Sequence, residues 1–150
     1  MIARMLVDTN VLVYAYDPTD PEKQERAFKV LDGLATLGQG ALSAQVLAEF
    51  VVVVTKKIAE PLDFEATQKR VENYLSSWTI LDVTGFVVLE ALRGVREHHF
   101  AYWDAQIWAT AKLSQIPYIL SEDFASGSTV EGINFINPFA ADFDLFQFIS

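Results

Sequence analysis

The 150-residue chain has no cysteine, so neither a disulfide framework nor a thiolate metal site is open to it. Basic residues are scarce. Eleven Lys and Arg stand against twenty Asp and Glu, for a formal charge of −9, which argues against a broad basic surface for nucleic acid. Long apolar runs are also missing: Val51 to Val54 falls far short of the roughly 20 residues of a membrane helix. The opening apolar segment is broken by Arg4 and Asp8 and does not read as a signal peptide. There is no phosphate-cradling glycine loop and no Ser/His/Asp elbow, which removes the P-loop NTPase and serine hydrolase classes. Repeats, linkers and low-complexity segments are absent as well. What remains is 51% apolar and 13% aromatic, with eleven Phe. That composition supports one packed core in a single domain, 1–150, of a soluble protein in a reducing, cytoplasmic setting.

Short apolar runs alternate with helical patterns along the chain. Ile2 to Val7 reads as a strand buried on both faces, stopping at Asp8-Thr9-Asn10. Asp20-Pro21-Glu22 is a helix start, followed by Ala27, Val30, Leu31 and Leu34 at helical spacing and closed by Gly38 and Gly40. Ser43 can cap the next segment, yet its four consecutive valines favour a strand, so propensity alone leaves it ambiguous. Asp63 caps a helix with Phe64, Thr67, Val71, Tyr74, Leu75 and Trp78 on one stripe. Thr79 to Val83 reads as a second buried strand. Thr84 caps a helix carrying Val88, Ala91, Leu92 and Val95. Another helix begins near Trp103-Asp104 and stops before Pro117. Tyr118-Ile119-Leu120 and Ile133 to Ile136 are the last strands. Strands separated by helices imply βα units and a parallel sheet covered on both faces, with ligands bound outside the carboxyl ends of the strands.

Most of the acids read as solvated surface, but four lie in apolar surroundings where a lone carboxylate is costly. They are Asp8 after Met5-Leu6-Val7, Glu49 within Val46 to Val51, Asp104 between Tyr102-Trp103 and Ala105, and Asp123 before Phe124. Asp8 could instead cap a turn, Asp104 could cap its helix, and Asp123 could make an Asx-turn. Glu49 has no Lys or Arg within four residues to neutralise it. A shared divalent cation would satisfy all four, and oxygen-only ligation favours Mg2+ or Mn2+ over zinc.

Four ordered motifs carry a family resemblance. Leu6-Val7-Asp8-Thr9-Asn10-Val11-Leu12, Ser43 to Phe50, Tyr102-Trp103-Asp104-Ala105 and Ser121-Glu122-Asp123-Phe124, with Gly127 and Asn137-Pro138-Phe139 further on, resemble the PIN-domain nucleases. Length and layout are most similar to the VapC-type toxins of toxin–antitoxin pairs. The resemblance implies an α/β, three-layer α/β/α fold with a central parallel sheet of four to five strands. It also implies that Ser43 to about Lys57 is helical, tertiary packing overriding propensity. The activity implied is a metal-dependent endoribonuclease toxin of a type II system, leaving 5′-phosphate and 3′-hydroxyl ends. Asp8, Asp104, Asp123 and Glu49 would hold one or two Mg2+ or Mn2+ ions. Thr9 and Asn10 would hold the Asp8 carboxylate and its turn, with Ser43 and Ser121 as supporting groups. RNA substrate, a cognate antitoxin and a homodimer are the partners implied.

Two further readings stay open: a stand-alone PIN nuclease of RNA processing, and a catalytically inactive interaction module. A receiver-type signalling domain would need a Lys after a late strand, and none follows Lys112. His98 and His99 read as helix-terminal groups favoured by the macrodipole. Lys56-Lys57, Lys69-Arg70, Arg93/Arg96 and Lys112 are solvated faces or, if RNA binds, the first candidates for phosphate contacts. The aromatic stretch Phe139 to Ile149 either completes the core or forms a dimer or antitoxin surface.

Overall fold

A computed structural model describes residues 3–124 and 126–149. Ile2, the expected first residue of the opening strand, lies outside them, and the strand runs Met5–Val7 (β1), fully buried. Asp8-Thr9-Asn10 does not stop the chain in a turn. The Asp8 side chain accepts from the Thr9 N–H and caps a short helix, Thr9–Tyr14 (α1). Asp20 caps Pro21–Leu37 (α2), which buries the expected Ala27, Val30, Leu31 and Leu34 and ends at Gly38 in the left-handed conformation.

Gly40 does not close that helix; it opens a strand, Gly40–Ser43 (β2). The strand has no β-branched residue, so local propensity carries no sign of it. Its glycine is required by packing, because the Trp78 ring lies 2.2 Å from where a Cβ would stand. Ser43 accepts from the Val46 N–H and caps Ala44–Lys56 (α3), so the four valines are helical. Asp63 caps Phe64–Ser77 (α4). Of its expected stripe, Thr67 and Tyr74 are buried while Phe64 and Leu75 are exposed.

Thr79–Leu81 (β3) is shorter than expected and only partly buried, as befits a strand at the sheet edge. Thr84 caps Gly85–His98 (α5), whose buried face is Val87, Ala91 and Gly94, with Val88 and Leu92 exposed. The face is rotated because the small Gly94 admits the Trp108 ring, 2.9 Å from a Cβ that glycine lacks. Tyr102–Leu113 (α6) follows, then Tyr118–Leu120 (β4), Thr129–Val130 (β5) and Ile133–Ile136 (β6). His99 takes the left-handed C-cap of α5, consistent with a helix-terminal role.

The sheet order is β3-β2-β1-β4-β6-β5. It has six strands rather than four to five, and β5 pairs antiparallel with β6 while every other pairing is parallel. The connections through α1–α4 step from β1 toward β3, and α5–α6 return across to β4. Right-handed crossovers therefore put α5–α6 on the opposite face from α1–α4. The two directions of winding diverge between β1 and β4, where ligands gather in such sheets. Leu145 and Ile149 of the aromatic C-terminal stretch are buried and Phe146 is exposed. Its main role is thus to complete the core, with Leu145 packed against Gly33 of α2.

Candidate active site

β1 and β4 are paired in register Val7 to Leu120, so the chain leaves the sheet at adjacent points as Asp8 and as Ser121-Glu122-Asp123. The Asp8 N–H donates to the Leu120 carbonyl at 2.9 Å. Asp8 is 4% exposed. Its Oδ1 accepts from the Thr9 N–H at 2.7 Å, and its Oδ2 accepts from Ser121 Oγ at 2.7 Å. Asn10 ties the two strand ends together. Its Nδ2 lies 2.9 Å from Asp123 Oδ2, 3.2 Å from Ser121 Oγ and 3.4 Å from Asp8 Oδ2, and its Oδ1 accepts from the Glu122 N–H. Three of the expected supporting residues therefore meet the acids: Thr9 through its backbone, Asn10 and Ser121 through side chains. Ser43 does not, because its hydroxyl is spent on capping α3.

Glu49 has the partner that sequence reasoning did not find. Tyr102 Oη donates to Gln106 Oε1, Gln106 Nε2 to Gln45 Oε1, and Gln45 Nε2 to Glu49 Oε1, each at 2.9 Å. Gln45 Nε2 also lies 3.1 Å from the Trp103 carbonyl, beside Asp104. This chain of amides spans α3 and α6 and ends on the carboxylate. It has one sequence signal, the i, i+4 spacing of Gln45 to Glu49 and of Tyr102 to Gln106. Asp104 sits in the first turn of α6 and does not cap it; Ala101 is the N-cap and makes no side-chain cap. No protein group donates to the Asp104 carboxylate among the described residues.

The four acids feel one another. Burial, above all, pushes the Asp8 carboxyl up to about 6; hydrogen bonds from Ser121 and Thr9 oppose the rise, and the charges of Asp123 and Glu49 add to it. Asp104 is also raised, by burial and then by Asp123. Among the described residues none of the four is in an ion pair, whereas the neighbouring Glu122 is paired with Lys23 and accepts from Tyr14 Oη at 2.8 Å. As a group the four do not close to within 4.8 Å of one another.

This donor set fits a hard divalent cation: oxygen-only, with uncompensated negative charge. Thr9 Oγ1 adds a second indication. It is buried beside Asp8 without a hydrogen-bond partner, at a position that a water of a hydrated ion could satisfy. The tighter cluster of potential ligands, Glu97, His98 and Glu131, lies elsewhere. There Arg93 bonds both Glu97 and Glu131, and Lys112 bonds Glu131. Both cations also bond Glu90, so the cluster is largely neutralised by the protein's own side chains.

Residues 5–125 match the model of the PIN domain. No curated protein sequence matches the chain. Among solved structures, a chain of a toxin–antitoxin complex from Klebsiella pneumoniae superposes with a TM-score of 0.66 at 20% identity, covering 90% of this chain and 98% of that one. A chain of FitAB bound to an IR36 DNA fragment gives 0.66 at 25% identity, covering 93% and 98%. VapC20 of Mycobacterium tuberculosis, described as a sarcin-ricin loop cleaving toxin, gives 0.60 at 16% identity, covering 77% and 86%.

Proposed function

The chain belongs to the PIN domain family, and on that premise we propose that it is a metal-dependent endoribonuclease, the toxin of a type II toxin–antitoxin pair. What supports this reading is that Asp8 lies in the field of Asp123 and Glu49, and Asp104 in that of Asp123, at the point where the sheet winding reverses, with no ion pair to any of them among the described residues. One solved chain of the same fold comes from a toxin–antitoxin complex, and another is described as a sarcin-ricin loop cleaving toxin. In this reading a cognate antitoxin is the protein partner, the chain acts as a homodimer, and the setting is cytoplasmic.

Asp8, Asp104 and Asp123 would hold Mg2+ or Mn2+, with Glu49 as a further ligand or as the group orienting the attacking water. Bound there, the ion lowers the pKa of a coordinated water and withdraws charge from a phosphoryl oxygen. The protein's own share is positional. Asn10 and Ser121 hold the Asp8 and Asp123 oxygens across the two strand ends. Gln45 holds Glu49 as an acceptor, since an amide N–H can only donate. The Asp8 burial keeps bulk water away from one side of the cleft, which strengthens any charge interaction made inside it.

Cleavage of RNA with Mn2+ tests the reading, comparing wild type with Asp8→Asn and Asp104→Asn. Loss of roughly 100-fold or more in either variant is the expected result for a group that acts directly on the ion. Equal activity in all three proteins would overturn the site assignment.

A further inference from the structure

Gln45, Glu49, Val53 and Lys57 recur every four residues, one turn apart, so they form a single stripe along α3 and its C-cap. Its first member bonds the Trp103 carbonyl. Its last two line a cleft of about 420 Å3 together with Thr9, Asn10 and Asp123. The stripe is about 18 Å long at 1.5 Å per residue, with Glu49 partway along it. Lys57 is the only cation lining that cleft, and among the described residues it makes no ion pair or side-chain hydrogen bond. At the other end, Trp103 is 63% exposed, next in the chain to Asp104. Trp108 is fully buried and Trp78 packs on Gly40, so Trp103 is the exposed tryptophan of the chain.

From this arrangement we infer a substrate track. A single-stranded RNA runs along α3, one unpaired base stacks on the Trp103 indole, and a backbone phosphate beyond the acids is held by the Lys57 ammonium. The inference rests on the ribonuclease reading and extends it. The track demands a single strand, because a base engaged in a duplex cannot present its face to an indole. It also accounts for how so acidic a chain holds a polyanion: a stacked base and the ammonium in the cleft take the place of a broad basic surface. Lys23, Lys29, Lys69 and Lys112 each face an acid, which leaves Lys57 and its neighbour Lys56 without one among the described residues.

A fluorescein-labelled pool of short random-sequence RNA tests the track. It is titrated by anisotropy in Mg2+ against the full chain carrying Asp104→Asn, which keeps the probe intact. Adding Trp103→Ala is expected to weaken binding roughly 5- to 100-fold, the range of one stacked base, with Trp103→Phe recovering most of it. Adding Lys57→Ala should weaken binding and lower the slope of log affinity against log salt by about 0.7, one single-strand phosphate, with Lys57→Arg restoring both. Lys29→Ala, on α2 and paired with Glu25, should leave the titration as it was. In the chain with Asp104 intact, the Lys57 and Trp103 substitutions should raise KM and leave kcat within about twofold, the pattern of lost uniform binding. Unchanged affinity in either Lys57→Ala or Trp103→Ala, or equal binding of the annealed duplex, would overturn the track. If the chain with native Lys57 and Trp103 neither binds nor cleaves RNA, the ribonuclease reading itself fails, a result distinct from failure of the track.

Discussion

At the scale of single residues, Asp8 meets two opposed demands. Folding buries its carboxylate at the end of β1, where charge is disfavoured, and the like charges of Asp123 and Glu49 add to the penalty. Ser121 and the Thr9 N–H recover part of it. A group whose pKa is pushed from 3.8 to about 6 makes the folded state less stable at neutral pH without a counter-ion. Asp8→Asn keeps the size of the side chain and removes the charge. In EDTA at pH 8 it should unfold at higher urea than wild type, by about 1–3 kcal/mol, while losing activity. Equal or lower stability would show that the hydrogen bonds outweigh the burial. The four acids stand out in the sequence as candidates, because a carboxylate in apolar surroundings is costly. Their holders Gln45 and Gln106 do not. An amide carries no charge to betray its burial, and the two glutamines meet only when α3 and α6 are packed.

Among the elements, α5, α6 and the β5–β6 turn are joined by a network that plays no part in the cleft. Arg93 on α5 bonds Glu90, Glu97 and Glu131, Lys112 on α6 bonds Glu90 and Glu131, and His98 faces Glu131. Hydrogen bonds first from Arg93 and then from Lys112 hold the Glu90 carboxyl down at about 2, against an ordinary 4.5, and Glu131 is lowered by the same two groups. A depressed carboxyl contributes stability that is complete above the unfolded pKa and lost as pH falls through the folded one. The thermal midpoint should therefore decline as the pH drops from about 4.5 toward 2. In Arg93→Gln the midpoint should be lower at neutral pH and its acid decline smaller, because Glu90 then titrates nearer its unfolded value. Superimposable profiles for the two proteins would mean that the network is too solvated to matter. Strands with β-branched or bulky apolar residues, β4 and β6, were legible at this scale. The Gly-Ala-Leu-Ser strand β2 was not, since it becomes a strand only by pairing with β1 on one side and β3 on the other.

For the whole molecule, the acidic balance has a structural counterpart. Among the described residues Lys23, Lys29, Lys69, Arg93 and Lys112 are paired with acids, and the surplus of Asp and Glu leaves a net charge of −9. An ion that binds the folded cleft and not the unfolded chain raises the thermal midpoint with its concentration. Millimolar Mn2+ should shift the wild-type midpoint upward by several degrees, given that 1 kcal/mol is worth about 2–8 °C in domains of this size range. The shift should shrink in Asp104→Asn. Equal shifts in both proteins would place the ion elsewhere, with Glu97, His98 and Glu131 as the alternative. Composition, hydrophobic period and capping residues were enough to determine an α/β domain and the helices capped by Asp20, Asp63 and Thr84, because those signals are local and survive in the sequence. Which strand lies beside which, which face of α5 is buried, and which amide holds which carboxylate were decided only by the tertiary structure. These depend on contacts between residues such as Asn10 and Asp123, 113 positions apart, whose free energy exists only after the sheet has closed between β1 and β4.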